Sequence, residues 1–558
     1  MTVTSDRHLL EVDLRSIPAY RFDVLIVGGG VAGGAAAMAA AAEGRSVAII
    51  TKAAIDVSNT NMAQGGMAAV VADDDSFESH IRDTLTVGCG LCDPVAVQRV
   101  VHGAPHAVQR LLDLGAILDR RQDGTLDRSR EGGHTNPRVL HAHGDATGRE
   151  MQRVITAALR TNDAIETFEN TFALDVVTAD GEAYGVVAAG PSGALVLYTA
   201  DQIILATGGG GQIFRETTNP TIATADGVAM GYRAGAAIRD IEFFQFHPTC
   251  LYIAGAARVL ISEIVRGAGG VLRDRHDHRF MLDSHQDAEL APRDIVSRAV
   301  FRRMIETGDT NVYLDLSAVQ GEVHRMFPGI SRTCRFFGID IAHDPVPVRP
   351  GAHYMIGGML VDSNGRTTLP RLWAVGECAS SGLHGANRMG SNSLLEGMVL
   401  GESAGRSAGA AAGGRPRRRP HRMLRRAVEQ PPRGIELGIS DLVYSLKSLM
   451  WRQVGLERSG EAMLEAMSRL AFWADAAHRL APPQPRAWEL VNMLTVAQLA
   501  TATALQRRET RGVHARVDFP ATDQEACHSI VYPRSSDQHV VEAELALCPV
   551  GTVVAHCM

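Results

Sequence analysis

Short apolar runs alternate with glycine clusters near the start of the chain. Residues 22–27 (FDVLIV) are mostly apolar and rich in β-branched side chains, and a cluster of glycines follows them. An alanine-rich stretch then continues through Ala42, and a second apolar run, SVAII, covers residues 46–50. This order predicts a strand, a helix and a second strand, which together form a βαβ unit. Further strands are predicted near 184–189, 195–199 and 202–206.

The middle and the end of the chain have different patterns. Residues 242–349 carry many Arg, His and Asp side chains, which indicates an inserted domain, and strand patterns with glycines return at 356–400. Residues 440–511 have the periodicity of helices. One helical face holds Leu442, Leu446, Met450 and Val454. The last forty residues are strand-like and contain no motif that indicates a role.

Composition excludes several classes of protein. The 558 residues are too many for one core, so two to four domains are expected, and the net charge of -7 gives no sign of a nucleic-acid or membrane partner. The N-terminus has no signal-peptide pattern, and no uninterrupted apolar stretch is long enough to span a bilayer. A cytoplasmic enzyme is therefore expected. The basic stretch 415–426 is predicted to be a solvated linker rather than a nucleic-acid patch.

The eight cysteines are scattered, as is usual in a reducing compartment. Cys89 and Cys92 form the only closely spaced pair. A zinc or redox role would need further ligands at metal spacing, and the sequence shows none. Ordinary thiols are the favoured interpretation, and no metal site is predicted.

Gly28–Gly33 reads GGGVAG and matches G-x-G-x-x-G between a predicted strand and a predicted helix. Glycines at these positions let the backbone approach a pyrophosphate, and the helix N-terminus offers free N–H groups. A tight structural turn remains an alternative for such a match. The usual acid after the second strand is missing, because that strand ends in Thr51-Lys52.

Three further groups of segments narrow the interpretation. Residues 61–66 read NMAQGG, and residues 206–210 (ATGGG) precede TTNP at 217–220. The third group comprises LWAVGE at 372–377, LHGANR at 383–388 and SNSLLE at 391–396, which is predicted to open a helix. A helix N-terminus in this place would stabilise negative charge on a bound cofactor.

These strings resemble the flavoprotein family that contains the succinate dehydrogenases, fumarate reductases and L-aspartate oxidases. The resemblance runs from about residue 20 to about residue 520. It implies an α/β fold, in which a discontinuous Rossmann-like FAD-binding domain carries an inserted α+β capping domain and a C-terminal helical domain. The predicted domains are 1–241 and 350–414 for FAD binding, 242–349 for the cap, 415–426 for the linker, 427–520 for the helical domain, and 521–558 for a tail of unknown role.

The resemblance also implies which residues bind FAD. The glycine turn would hold the pyrophosphate, Lys52 would lie near the adenosine, and Glu377 would hold the ribityl chain. The full set is Gly28, Gly30, Val31, Ala32, Gly33, Lys52, Asn59, Gln64, Gly65, Gly66, Ala206, Thr207, Gly208, Asp226, Glu377, Asn392, Ser393 and Leu394. Asn59 stands where membrane-bound members carry the histidine that bonds FAD covalently. Asparagine cannot form that bond, so non-covalent FAD is expected.

Two arginines and two histidines suit a dicarboxylate, since guanidinium groups match carboxylates bidentately. They lie in ELAPRD at 289–294, LHGANR at 383–388, QFHPT at 245–249 and GAHY at 351–354. The resemblance implies that His353 and Arg388 hold one carboxylate, and that His247 and Ser262 hold the other. It also implies that Arg293 is the acid/base group, with Glu263 and Arg266 as a proton relay.

The loop around Glu131 resembles the version found in the family's L-aspartate oxidases. A carboxylate at Glu131 would accept a hydrogen bond from a substrate ammonium group, which succinate and fumarate lack. The alternative is that Glu131 pairs with Arg130 or Arg138 and never meets the substrate.

The resemblance therefore implies oxidation of L-aspartate to iminoaspartate, with the flavin reoxidised by O2 or fumarate. It further implies the first step of de novo NAD biosynthesis and possible functional coupling to quinolinate synthase. One alternative is a soluble fumarate reductase or succinate dehydrogenase flavoprotein subunit with an iron–sulfur partner. The other is a flavin-fold binding or regulatory protein without turnover.

Overall fold

The structure is a computed structural model that describes residues 3–413, 420, 423–426, 438–480, 482–534 and 539–552. Most of the predicted linker lies outside the described residues. Within them, Met423–Leu424 pairs antiparallel with Val12–Asp13, and Leu424 is buried. This part of the linker is therefore packed on the N-terminal segment, and the prediction of a solvated connection is wrong for it.

A seven-stranded sheet forms the centre of the cofactor domain. Its strands are, in spatial order, Ile165–Phe168, Val47–Ile50, Ala19–Val27, Leu195–Leu205, Glu182–Ala189 and Phe172–Ala179, and Leu372–Ala374 also pairs with Leu195–Leu205. The two strands predicted at 195–199 and 202–206 are one continuous strand. Asp201, which interrupts the apolar pattern, accepts a hydrogen bond from the Gly413 N–H at 2.8 Å, so its charge does not break the strand.

Helices Val31–Ala42 and Asn392–Ala411 pack against each other unusually closely. The second helix carries a glycine at every fourth position from Gly397 to Gly409 on this face. A Cβ at Gly401 would lie 2.5 Å from the Ala32 carbonyl oxygen, and one at Gly405 would lie 2.1 Å from that of Ala36. The packing brings the start of the second helix, with Ser393 and Leu394, to the glycine turn.

A five-stranded sheet lies in the region predicted to be the insert, residues 242–349. Its strands are Val259–Leu260, Phe244–Leu251, Val346–Met355, Val312–Asp315 and Val271–Arg273, and its helices are Ile264–Gly267, Arg293–Thr307, Val323–Met326 and Pro328–Phe336. Strand Val346–Met355 crosses the boundary predicted after residue 349. The insert and the second cofactor segment thus share a strand, which places His353 at their junction.

The remaining helices and a small sheet surround the cofactor domain. The helices are Asn59–Met62, Phe77–Val87, Pro94–Asp113, Thr147–Arg160 and Asp226–Ala234, and the sheet contains Met67–Ala68, Val139–Leu140 and Arg128–Ser129. The C-terminal helices are Ile439–Gln453, Gly460–Leu480 and Pro485–Gln506. Their predicted apolar face is buried at Leu442, Leu446 and Met450.

The tail after residue 521 is a hairpin within a second large sheet. Strands Cys527–Arg534 and Val540–Pro549 pair with each other, with Thr4–Asp6 on one side and with Ile238–Arg239 on the other. Gly358–Leu360 and Ala379–Ser380 complete this six-stranded sheet. The tail thus has a structural role that the sequence did not reveal, and the predicted α/β fold class with its helical C-terminal region is confirmed.

Across the described ranges, no helix combines the length and apolar character needed to cross a membrane.

Candidate active site

An elongated cleft runs along the carboxyl ends of the parallel strands, where open α/β sheets bind their ligands. It holds about 1470 Å³ of space, including its open mouth. The predicted residues that line it are Gly28, Gly30, Val31, Ala32, Lys52, Asn59, Ala206, Thr207, Gly208, Asp226, His353, Glu377, Arg388, Ser393 and Leu394. Two residues predicted to bind the substrate, His353 and Arg388, therefore lie in the same cleft as residues predicted to bind the cofactor.

The glycine turn has the geometry that its sequence requires. Gly28 has a φ of +113°, and a Cβ there would lie 2.2 Å from the Ala206 carbonyl oxygen. A Cβ at Gly33 would lie 2.0 Å from the Gly28 carbonyl oxygen. The turn is therefore a bare backbone cradle at a helix N-terminus, which is an anion-binding arrangement.

The middle of the cleft is organised by Glu377. The Asn59 side-chain amide donates to its Oε2 at 2.7 Å, and the Met355 N–H donates to its Oε1 at 2.9 Å. Burial raises the pKa of Glu377. Asn59, which stands at the position of the covalent histidine in other members, thus has a hydrogen-bonding role in this chain.

Five residues predicted to bind the cofactor do not line the cleft: Gly33, Gln64, Gly65, Gly66 and Asn392. Gly33 lies one layer behind, against Gly28, and a Cβ at Gly66 would lie 2.3 Å from the Leu140 carbonyl oxygen. The Asn392 side chain hydrogen-bonds His80 at 2.9 Å and Thr84 at 3.1 Å. These two bonds use Oδ1 and one N–H of the Asn392 amide, and the other N–H has no bond to them.

Arg293 is the first residue of its helix and lies at the centre of the predicted substrate cluster. Its Nε donates to Glu263 at 2.6 Å, and Glu263 forms an ion pair with Arg266 at 3.2 Å. Burial opposes ionisation of Glu263, but Arg293 and Arg266 outweigh it and lower the pKa of Glu263. The three residues of the predicted relay are thus in contact and buried.

Gln245 joins the two arginines. Its Oε1 accepts from Arg293 at 3.2 Å and from Arg388 at 3.4 Å. Arg388 also donates to Ser393 at 2.5 Å, and its guanidinium lies 4.7 Å from the centre of the Tyr354 ring. Burial, and then the charge of Arg293, lowers the pKa of Arg388 to about 10, so it stays cationic at neutral pH.

His247 and His353 face each other with their ring centres 5.3 Å apart. Burial, and then the charge of Arg293, lowers the pKa of both histidines well below the usual value. Both are therefore neutral near pH 7. His353 is within 3.0 Å of the Thr218 hydroxyl, and Ser262 is buried in the loop before Glu263.

Glu131 is 2% exposed and is not paired with either arginine named as its alternative partner. Arg138 pairs instead with Asp75 and Asp83, and Arg130 is exposed. The Ser391 hydroxyl donates to Glu131 Oε2 at 2.7 Å, whereas Oε1 is buried without a hydrogen bond. Among the described residues this oxygen has no donor, so it is free to accept a hydrogen bond from a ligand.

Arg138 anchors the loop that carries Glu131. It is fully buried and donates to Asp75 at 2.7 Å and to Asp83 at 2.6 Å.

Replacing Arg138 by methionine leaves two carboxylates without their partner, which typically costs about 3–5 kcal/mol. We expect a lower urea midpoint for the holoprotein. The matched change Arg121→Met, at an exposed ion pair with Asp127, should leave the midpoint unchanged. An unchanged midpoint for Arg138→Met would contradict this role.

The structure shows three site residues that were not predicted from the sequence. Gln245 bridges both arginines, Thr218 contacts His353, and Glu489 reaches Lys52 from a C-terminal helix at 2.7 Å. Gln245 and Thr218 lie inside motifs already singled out, so proximity in sequence could have indicated them. Glu489 is 437 residues from Lys52, and no local pattern indicates it.

Cys89 and Cys92 are free thiols in the part of the chain that the structure describes. Burial raises the pKa of Cys89 to about 11 and that of Cys92 to about 12. Cys92 donates to the Leu383 carbonyl at 3.2 Å. Among the described residues, no group of three or more His, Cys, Asp or Glu side chains is placed to hold a metal ion.

Two family models match the chain. The first is described as an FAD binding domain and covers residues 23–394, and the second is described as the fumarate reductase flavoprotein C-terminus and covers residues 444–550. The cofactor is therefore FAD. The bare glycine cradle at Gly28 and the helix ends at Val31 and Asn392 suit a diphosphate and a flavin. The second match also extends past residue 520, where the sequence resemblance was expected to end.

Similar proteins cover nearly the whole chain. The L-aspartate oxidase of Streptomyces coelicolor is 42% identical over 520 residues, which are 90% of this chain and 89% of that protein. The L-aspartate oxidase of Mycobacterium tuberculosis is 42% identical over 95% of this chain and 99% of its own length. That of Synechocystis is 38% identical over 92% and 97%.

Solved structures of the wider family share the fold. FrdA of E. coli quinol fumarate reductase is 31% identical with a TM-score of 0.87, and the match covers 96% of this chain and 98% of that one. Mycobacterium smegmatis Sdh1 is 30% identical with a TM-score of 0.81, over 96% of each chain. The family models and these similar proteins show that this chain belongs to the L-aspartate oxidases of the succinate dehydrogenase and fumarate reductase flavoprotein family.

Proposed function

We propose that this chain oxidises L-aspartate to iminoaspartate, and that the reaction uses O2 or fumarate as the final electron acceptor. The observation that carries this proposal is the buried, unsatisfied Oε1 of Glu131 in the same site as Arg293 and Arg388. The charges match the substrate. Two guanidinium groups meet two carboxylates, one carboxylate meets an ammonium group, and both histidines are neutral.

The carboxylates would be held as the family motifs suggest. His353 and Arg388 line the cleft side by side, so we assign them to one carboxylate. His247 and Ser262 are assigned to the other, on the side of the insert. Neutral histidines serve as hydrogen-bond donors here, while the arginine supplies charge and direction. Holding both ends of a four-carbon acid would fix its α-carbon relative to the flavin.

Arg293 and Glu263 would move protons at the substrate. Arg293 donates its Nε–H to Glu263 at 2.6 Å, and Glu263 pairs with Arg266. Arg293 would therefore pass that proton to Glu263 as it takes one from the substrate nitrogen, and its guanidinium would keep its charge. Glu131 would accept a hydrogen bond from the ammonium group and orient it. FAD, when bound, supplies the acceptor for the two electrons and the hydrogen that leave the α-carbon. The low exposure of these side chains keeps water away from the reacting atoms.

The first alternative is a fumarate reductase or succinate dehydrogenase flavoprotein subunit. The similarity to solved members of those enzymes supports it. Glu131 opposes it, because the charge of its carboxylate favours a substrate with an ammonium group, which succinate and fumarate lack. A binding protein without turnover is also disfavoured, because the relay Arg293–Glu263–Arg266 is intact.

The proposed product is an imine, which water hydrolyses, so a consuming enzyme would have to act quickly. We propose that this enzyme is quinolinate synthase, in the de novo route to NAD. The test of the proposed activity is anaerobic reduction of the bound flavin by L-aspartate in the isolated chain, with succinate as the comparison.

A further inference from the structure

The adenosine end of the cleft lacks an acid at its usual position in the sequence. In nucleotide-binding βαβ units, a carboxylate after the second strand accepts hydrogen bonds from the ribose hydroxyls. Here strand Val47–Ile50 is followed by Thr51 and Lys52. The structure brings carboxylates to this place from two distant parts of the chain.

Lys52 is saturated by protein acceptors. An ammonium group has three N–H donors, and those of Lys52 reach Thr224 at 2.6 Å, Asp226 at 2.6 Å and Glu489 at 2.7 Å. No N–H remains for a nucleotide. Burial would lower the pKa of Lys52, but the two carboxylates outweigh it and raise this pKa. Lys52 therefore acts as a cation that holds two acids side by side at the cleft.

The two carboxylates differ in whether they can accept a further hydrogen bond. Both oxygens of Asp226 are used, because Oδ2 accepts from Lys52 and Thr224 while Oδ1 accepts from Asn492 at 2.8 Å. Glu489 uses Oε1 for Lys52, and its Oε2 accepts no hydrogen bond from the described residues. Its side chain is 24% exposed and pairs with Lys52, which lines the cleft, so Oε2 is open to a ligand beside Lys52.

The helix that carries Glu489 is fixed against the cleft. Glu489 lies in the first turns of Pro485–Gln506, next to Trp488. The Trp488 ring lies 5.4 Å from the ring of Phe172, which lines the cleft beside Lys52. The charge of Arg486 also acts on Glu489, so two cations and two carboxylates lie here and their charges balance. The open Oε2 of Glu489 can still accept a hydrogen bond from a ribose hydroxyl.

We infer that Glu489 is a cofactor-binding residue whose carboxylate accepts a hydrogen bond from a hydroxyl of the adenosine ribose of FAD. The C-terminal helical region thereby completes the cofactor site. Glu489 takes the role of the acid that is missing after the second strand. This inference depends on FAD as the cofactor and is independent of the substrate.

The test compares ligands with and without adenosine. Flavin is removed from the Glu489→Gln variant and from the unchanged protein, and FAD, FMN and ADP are titrated by calorimetry. We expect the variant to bind FAD and ADP about tenfold more weakly, because a hydrogen bond to a charged acceptor is lost. FMN has no adenosine, so its affinity should stay the same.

The matched control is Glu465→Gln on the neighbouring helix Gly460–Leu480, where the exposed carboxylate pairs with Arg469 at 2.5 Å. It should bind all three ligands normally. Equal weakening of FAD and FMN by Glu489→Gln would show a structural role, and unchanged FAD and ADP affinities would show no contact. Both results would overturn the inference. If the glutamine variant does not fold, Glu489→Asp keeps the charge, shortens the reach, and should give the same selective loss.

Discussion

Replacing Arg293 by lysine is expected to reduce turnover of L-aspartate by about a thousandfold, within the range for loss of a positioned acid/base group. Lysine keeps the positive charge beside Glu263, so the buried carboxylate is not left alone. It loses the planar fork that reaches Glu263 and Gln245 at once. The measurement is kcat with L-aspartate, together with the flavin content of the purified variant.

The control for Arg293→Lys is Arg302→Lys in the same helix, where the exposed guanidinium pairs with Glu457 at 2.5 Å. This variant should keep full activity. A fall in kcat for Arg293→Lys with normal flavin content would support a role at the reacting atoms. Near-normal turnover by Arg293→Lys would contradict the proposed relay.

Replacing Glu131 by glutamine is expected to lower the activity with L-aspartate but not the activity with fumarate. The amide keeps the shape and the Ser391 contact but loses the charge that attracts an ammonium group. The kcat/KM for L-aspartate should therefore fall about 10- to 100-fold. Fumarate reduction should stay the same or improve, because fumarate has no ammonium group and gains from the loss of a negative charge.

The comparison for Glu131→Gln is Glu166→Gln, at an exposed position of strand Ile165–Phe168. This variant should leave both activities unchanged. Parallel losses with L-aspartate and fumarate in Glu131→Gln would mean that the residue supports the loop rather than the substrate. An unchanged kcat/KM for L-aspartate would remove Glu131 from the site.

Local patterns predicted the parts of the fold that local chemistry controls. The apolar run 22–27, the glycine turn and the alanine-rich helix were all readable, because a strand, a backbone cradle and a helix each need particular residues in sequence. The prediction failed between residues 199 and 202, where the single strand Leu195–Leu205 was predicted as two and where the charge of Asp201 lies. A distant N–H, that of Gly413, accommodates this charge, and no window of sequence contains that contact.

Long-range pairing accounts for the other omissions. The strand-like tail gave no clue to its partners, because pairing of Cys527–Arg534 with Ile238–Arg239 depends on the whole fold. Glu489 looked like an ordinary polar residue of a helix. Its importance follows from the charge of Lys52, which lies 437 positions earlier.

The sequence predicted which residues belong to the candidate site but not which of them contact each other. The motifs named Arg293, Arg388 and Glu131, yet they could not show that Gln245 bridges the arginines. They also could not show that Arg138 is occupied by two aspartates, which leaves Glu131 without a cationic partner among the described residues. The role of each of these side chains depends on its ion-pair and hydrogen-bond partners, and those partners are known only from the folded chain.

The most direct test of the account is anaerobic bleaching of the flavin in the purified chain, with L-aspartate and succinate added in separate cuvettes. We expect L-aspartate to bleach the flavin and succinate to leave it oxidised, and we expect peroxide to form when air is admitted. Bleaching by succinate alone would contradict the account, because the carboxylate of Glu131 would then face a substrate without an ammonium group.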